Sequence, residues 1–293
     1  MRSWLFECEH THGAACNRPM FVDSDSSLVV TLLDLHEHKL VRKAMLEIRY
    51  CALSYVWGGV EQVQLTTPLY EALKKPNSLL EHYPKLSQII QDAISFVRGI
   101  GEQYLWVDTL SICQDDVEAK HHQIFQMASI YNAAILTLIA IDAKNANSSL
   151  PGVRPSTRPT FTNVQLECGV VVASQRSPVS QYHNIYYTRG WTFQEEKLSR
   201  RSVYFREGKV VLQCQEAEWS ESSLESVRLD AASYLGIDRV PPNNADLKGF
   251  SHLLYNYSER VLTYPSDRLN AFLGILGALQ IAWKWYFHWG LPR

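Results

Sequence analysis

Between Tyr50 and Ile141 the chain alternates short apolar runs with longer helical patterns, and this alternation restricts the fold more than any other feature. Tyr50 to Trp57 (YCALSYVW) is apolar and closed by Gly58 and Gly59, the pattern of a buried strand ending in a tight turn. Leu86 to Val97 then places Leu86, Ile89, Ile90, Ala93, Ile94 and Val97 on one helical face, with Gly99 and Gly101 to stop it. Tyr104 to Ile112 is a second apolar run with Asp108 in its middle. The chain turns helical from Asp115, with Gln114 and Asp115 as candidate caps, and Ala134 to Ile141 is a third run. Strand, helix, strand, helix, strand predicts an α/β fold with a mainly parallel sheet and flanking helices. Segments 52–55, 105–108 and 135–140 are expected as neighbouring strands of it.

The surrounding sequence fills in around that unit. Leu28 to Leu35 is β-branched and apolar and reads as a strand ahead of the main domain. Residues 143–187 break the rhythm with NANSS and several prolines. They hold one convincing strand pair around VQLECGVVVAS, so this stretch reads as an inserted β segment at the sheet edge. Trp191 to Leu198 suits a short helix, Ser202 to Phe205 and Val210 to Cys214 a hairpin turned at Glu207 and Gly208, and Leu247 to Leu262 and Leu269 to Ile281 two further helices. The expected division is a preface at 1–45 (helix plus strand), a main domain at 46–215 with its insertion near 143–187, and a helical C-terminal part at 216–293 packing on it. The closing WKWYFHWGLPR crowds aromatics that need cover.

Several function classes fall away. A formal net charge of −2, with Lys and Arg dispersed, offers no footprint for nucleic acid or an anionic membrane. The longest apolar stretches, 133–141 and 271–279, fall well short of the roughly 18 residues a bilayer requires. The start lacks the apolar core of a secretory leader, so a cytoplasmic location with reduced thiols is expected. No GxGxxG, GxxxxGK[ST] or GxSxG occurs, which removes the ordinary dinucleotide, phosphate-loop and serine-hydrolase signatures. His82, His121, His122 and His183 sit in polar surroundings typical of a surface.

Three blocks carry the candidate chemistry: YCALSYVWGG at 50–59, YLWVDTLSICQDD at 104–116 and RGWTFQE at 189–195. Each sets a tryptophan beside a polar residue: Ser54 with Trp57, Trp106 with Asp108, Trp191 with Glu195. That pairing fits side chains gathered at strand ends around one pocket, where open α/β sheets bind ligands. The bland alternative puts the tryptophans in the core, pairs Glu195 with Arg189, Arg200 or Arg201, and gives Asp108 a loop amide or Arg189. Near the start, Cys8, His12 and Cys16 recur every fourth residue on one side of any helix formed there. A zinc site needs a fourth ligand that this segment does not supply, so no metal is expected and the thiols read as small apolar residues facing a core.

The three blocks in this order resemble the fungal HET (heterokaryon incompatibility) domain. Ala52 to Gly58 matches that family's ALSYxWG throughout, and Arg189 to Glu195 matches its RxWTFQE. Ser111 stands where LWVDxLCIxQ commonly has cysteine, and Cys113 occupies the variable place, which weakens any role for a cysteine there. WLFEC and LTYPSDRLNAFLGIL extend the likeness over most of the chain. The resemblance implies a role in non-self recognition and programmed cell death, with self-association or other death-signalling proteins as partners. HET domains are distantly similar to TIR domains, flavodoxin-like sheets that in some lineages cleave NAD. Trp191 and Glu195 repeat the TIR WCxxE spacing, with Thr192 replacing its cysteine. The resemblance therefore implies NAD as a substrate, Glu195 as the catalytic carboxylate, and a nucleotide pocket of Ser54, Tyr55, Trp57, Asp108 and Trp191.

Overall fold

The computed structural model describes residues 1–20, 28–158, 162–165, 171–174, 184–223, 225–229 and 247–292. His183 and the centre of the VQLECGVVVAS segment lie outside the described residues. The chain opens with helices α1 (Arg2–Thr11) and α2 (Ala14–Asn17), broken at His12 and Gly13, so Cys8, His12 and Cys16 do not share one helix. Strands β1 (Val29–Asp34), β2 (Lys39–Ala44) and β3 (Cys51–Ser54) follow. Helices α3 (Thr67–Leu73), α4 (Ser78–His82) and α5 (Gln88–Ile100) lead to strand β4 (Tyr104–Trp106). The short α6 (Asp108–Ser111), the long α7 (Val117–Ala133) and strand β5 (Leu136–Ile139) complete the alternating unit.

Among the described residues, strands β6 (Thr162–Gln165) and β7 (Val171–Ser174) pair only with each other. Helices α8 (Ile185–Thr188) and α9 (Gly190–Lys197) then return the chain to the main sheet through β8 (Arg201–Arg206), β9 (Lys209–Cys214), β10 (Ala217–Ser220) and β11 (Val227–Arg228). Helices α10 (Leu247–Ser258) and α11 (Asn270–Trp283) precede a small hairpin, β12 (Phe287–His288) with β13 (Leu291–Pro292). No helix among the described residues is long and apolar enough to cross a membrane.

Among the described residues the main sheet has nine strands in the order β11-β10-β9-β8-β5-β3-β4-β1-β2. Its four central strands, β4-β3-β5-β8, run parallel, as the alternation predicts. The centre of the sheet is thus largely parallel, while β1 and β2 on one flank and β9 to β11 on the other are antiparallel. Tight turns explain the difference, because an antiparallel neighbour needs no crossover helix. Glu207 and Gly208 both hold positive φ in the predicted β8–β9 turn, the geometry that matches strand twist. Strand β1 joins the main sheet, hydrogen-bonded to β4.

The strands obey the two-residue period. Cys51, Leu53, Leu105 and Val107 join the core under α5, whose Ile89, Ile90, Ala93, Ile94 and Val97 are buried as its periodicity predicts. Ala52 and Trp106 face the other way, against Met127, Ile130 and Tyr131 of α7. On the apolar side of α5 one acid, Asp92, is fully buried. It accepts from the Leu150 amide at 2.8 Å and from Arg154 Nε at 2.7 Å, which fastens the segment after β5 to that helix. The cap of α7 is Asp116, whose side chain accepts from the Ala119 amide. Asp115 instead binds the Thr67 amide at 2.9 Å.

The C-terminal helices form a third layer over α7 and α9. Gly274 allows the close approach: a Cβ there would stand 2.5 Å from Ala128 Cβ and 2.6 Å from Gln194 Oε1. The Gln194 oxygen accepts instead from the Gly274 amide at 3.0 Å. Part of the terminal aromatic group is covered, since Trp285 packs edge-on to Trp283 and Phe250. Trp289 remains 83% exposed.

Candidate functional site

Backbone geometry brings the three sequence blocks together. Strands β3 and β5 are paired through Ser54, which ends β3 on the face turned toward α7 and α9. Asp108 follows β4 by two residues and opens α6. Glu195 lies in α9, which crosses against β3. The turn after β3 demands glycine: Gly58 has φ +70°, and a Cβ there would fall 2.2 Å from Asn145 Cβ.

Ser54 and Glu195 are buried against each other, the serine hydroxyl donating to the Glu195 carboxylate. Because Ser54 has a single hydrogen, Tyr186 supplies its own to Ser54 Oγ at 2.7 Å. Tyr131 donates to the Leu53 carbonyl at 3.1 Å and also reaches Glu195. Burial pushes both tyrosine hydroxyls well above their ordinary value, so they act as neutral donors. Asp108, half-buried, accepts from Trp57 Nε1 at 2.7 Å and from the Thr109 amide at 2.7 Å. Tyr55 is buried, and its hydroxyl meets Gln62 and Thr109. Trp191, half-buried, packs between the α7 core and the α10–α11 core.

The carboxyl groups hold their protons unusually well. Burial raises Glu195 from 4.5 to about 7, opposed by the Ser54 hydrogen bond and reinforced by the charge of Asp108. Burial likewise raises Asp108 from 3.8 to about 6, opposed first by the Trp57 donor. The Arg189 charge favours ionisation of both. No ion pair within 4.0 Å joins Glu195 to an arginine among the described residues. Arg200 donates to the Asn132, Ala133 and Ala134 carbonyls, and Arg201 to Cys8, Ile135 and Asn17, so the arginine-pairing alternative fails for these two. Trp106 is fully buried, edge-on to Tyr131, as the core alternative has it.

The blocks thus converge, but onto a covered cluster: Ser54 is 1% exposed and Glu195 7%. Tyr131 and Tyr186 are members that sequence reasoning missed. Nothing distinguishes them locally from other buried tyrosines. Cys8 and Cys16 lie at the other end of the sheet with His12 beside them, and the fourth side chain missing from their segment arrives from β9 as Cys214.

The family model for heterokaryon incompatibility (HET) proteins matches residues 50–195, about half of the chain. The chain is a HET domain protein. Neither a search of curated proteins nor one of solved structures found a match. The HET segment begins at the head of β3 and ends at Glu195, so the Ser54–Glu195 hydrogen bond closes it on itself. Arg260 extends that closure from outside the segment: buried, it donates to the Arg189 carbonyl and Thr192 hydroxyl at 3.1 Å each and lies 4.7 Å over the Phe193 ring.

Proposed function

We propose that this HET domain protein acts in fungal non-self recognition and the programmed cell death that follows, and that the Ser54–Asp108–Glu195 cluster is where its activity resides. Family membership supports the biological role, and convergence of three distant blocks on one polar cluster supports the location. Its partners on this reading are further copies of itself or other death-signalling proteins, met in the cytoplasm.

A second reading, NAD cleavage in the manner of TIR domains, is favoured by the carboxylate itself. The central strands β4-β3-β5-β8 are, in chain order, second-first-third-fourth, the order of flavodoxin-like sheets. Such sheets bind ligands at the carboxyl ends beside their first and third strands, here β3 and β5. Ser54 ends β3 there, and Glu195 lies against it. A carboxyl raised to about 7 by burial, beside a second acid, is the arrangement by which sites tune acid and base groups. Ionised, Glu195 would stabilise the ribosyl cation formed as nicotinamide leaves, with Trp57 or Trp191 against the planar ring. At 7% exposure, Glu195 meets substrate only after its surroundings open.

Nicotinamide release from NAD by the concentrated full chain, alongside viability of cells expressing it, tests both readings. Enzymatic toxicity predicts release that Glu195→Gln lowers by about a hundredfold together with loss of killing. Killing without release under any assembled condition ends the NAD reading and leaves an interaction module. Unimpaired killing by both Glu195→Gln and Ser54→Ala would remove the activity from this cluster.

A further inference from the structure

At the opposite end of the parallel strands from Ser54, three thiols and an imidazole from separate elements meet beside Arg201, the first residue of β8. The sulfurs of Cys8, Cys16 and Cys214 and a ring nitrogen of His12 all lie within 4.8 Å of one another. His12 Nδ1 is 3.8 Å from Cys16 Sγ and 3.2 Å from Cys214 Sγ. A tetrahedral zinc ion with bonds of about 2.3 Å to sulfur and about 2.0–2.1 Å to nitrogen requires ligand-to-ligand edges of roughly 3.5–3.8 Å, which these separations straddle. All three cysteines are free thiols, at most 1% exposed.

The surroundings suit thiolates, not apolar core thiols. Arg201 Nε donates to Cys8 Sγ at 3.1 Å, and the Glu216 and Ala217 amides donate to Cys214 Sγ at 3.3 and 3.2 Å. Arg201 is 2% exposed, and its other acceptors, the Ile135 carbonyl and the Asn17 side chain, are neutral. No carboxylate stands within 4.0 Å of it among the described residues. A buried guanidinium without a counter-charge is costly. Zinc held by three thiolates and a neutral histidine carries one net negative charge, which neutralises Arg201. A disulfide accounts for the cluster less well, because it would join two sulfurs and leave the third facing the imidazole.

We propose that Cys8, His12, Cys16 and Cys214 bind one zinc ion, in a closed site that ties α1 and α2 to the end of β9. Four protein ligands leave no open position, so the ion is structural. The thiols give up their protons on binding and His12 binds neutral through Nδ1, so affinity falls as pH falls. All four residues lie outside the matched segment 50–195, and the ion adds a cross-link that the HET segment itself does not contain.

Metal analysis of the purified full chain should find about one zinc per molecule, retained on dialysis and lost in Cys16→Ser and Cys214→Ser but kept in Cys113→Ser. Cobalt(II) in place of zinc should give tetrahedral visible bands with a thiolate-to-cobalt charge-transfer band. That band should weaken in Cys214→Ser and strengthen in His12→Cys. Because the cobalt spectrum is read on the wild-type chain, misfolding of a variant does not remove the test. A folded, reduced wild-type chain that holds no zinc and takes up no cobalt overturns the proposal. So does a disulfide among Cys8, Cys16 and Cys214 in native protein, or metal content unchanged by Cys214→Ser.

Discussion

The Ser54 hydroxyl donates to the carboxylate of Glu195, 141 residues further along the chain, while accepting from Tyr186. One buried hydrogen bond thereby joins the first strand of the HET segment to its last helix. Because burial weakens the acid, the bond couples the closure of the domain to a proton.

The coupling has a definite sign. Glu195 has a folded value of about 7 against an ordinary 4.5, so the folded state binds the proton more tightly. Its contribution to stability is fully present below about pH 4.5 and is lost as pH rises through about 7. Asp108, raised from 3.8 to about 6, acts in the same direction over a lower window. Urea unfolding at about pH 5 and about pH 8 should show the wild type weaker at the higher pH, with a difference on the order of a few kcal/mol. Glu195→Gln, neutral throughout, should remove most of the slope. A slope that survives the substitution would assign the titration to another group.

Trp57→Phe tests the second carboxyl. Asp108 would lose the indole donor at 2.7 Å while keeping the Thr109 amide. Hydrogen bonds to charged groups contribute about 1.5–3 kcal/mol, and partial exposure of both side chains places the expected loss near the lower end. Asp108 should also titrate higher, which carboxyl resonances followed against pH would report. An unmoved Asp108 would contradict the geometry.

Trp106 separates packing from hydrogen bonding. It is fully buried edge-on to Tyr131, and its indole nitrogen has no partner among the described residues. Trp106→Ala should cost about 3–5 kcal/mol by opening a cavity. Trp106→Phe should cost clearly less, because it keeps a ring and discards an unsatisfied donor. Equal losses in chemical denaturation would show that the nitrogen is satisfied after all.

Gly274→Ala probes the contact of the C-terminal helix with the HET segment. The added methyl meets Ala128 at 2.5 Å and the Gln194 carboxamide at 2.6 Å. Overpacking of this kind costs roughly 1–3 kcal/mol, so the melting temperature should fall by several degrees. No change would mean that α11 is free to shift away from α7 and α9.

Elements whose evidence is local were legible in the sequence. The buried face of α5, the β8–β9 hairpin with its turn at Glu207 and Gly208, and the parallel run of β3, β4 and β5 all follow from periodicity and turn chemistry, which act over a few residues. Glu195, Ser54 and Asp108 were legible as members of motifs. What each touches was not: the Glu195 partner is Ser54, while Arg200 and Arg201, within the next turn or two of sequence, point to backbone carbonyls and a thiol. Hydrogen-bond partners follow which faces of which elements meet, and no short-range pattern encodes that. Cys214 shows the same limit most clearly. Cys8, His12 and Cys16 recur every fourth residue and read as core thiols, but the side chain that completes their cluster stands 202 residues beyond His12, and only the pairing of β9 with β8 carries it there.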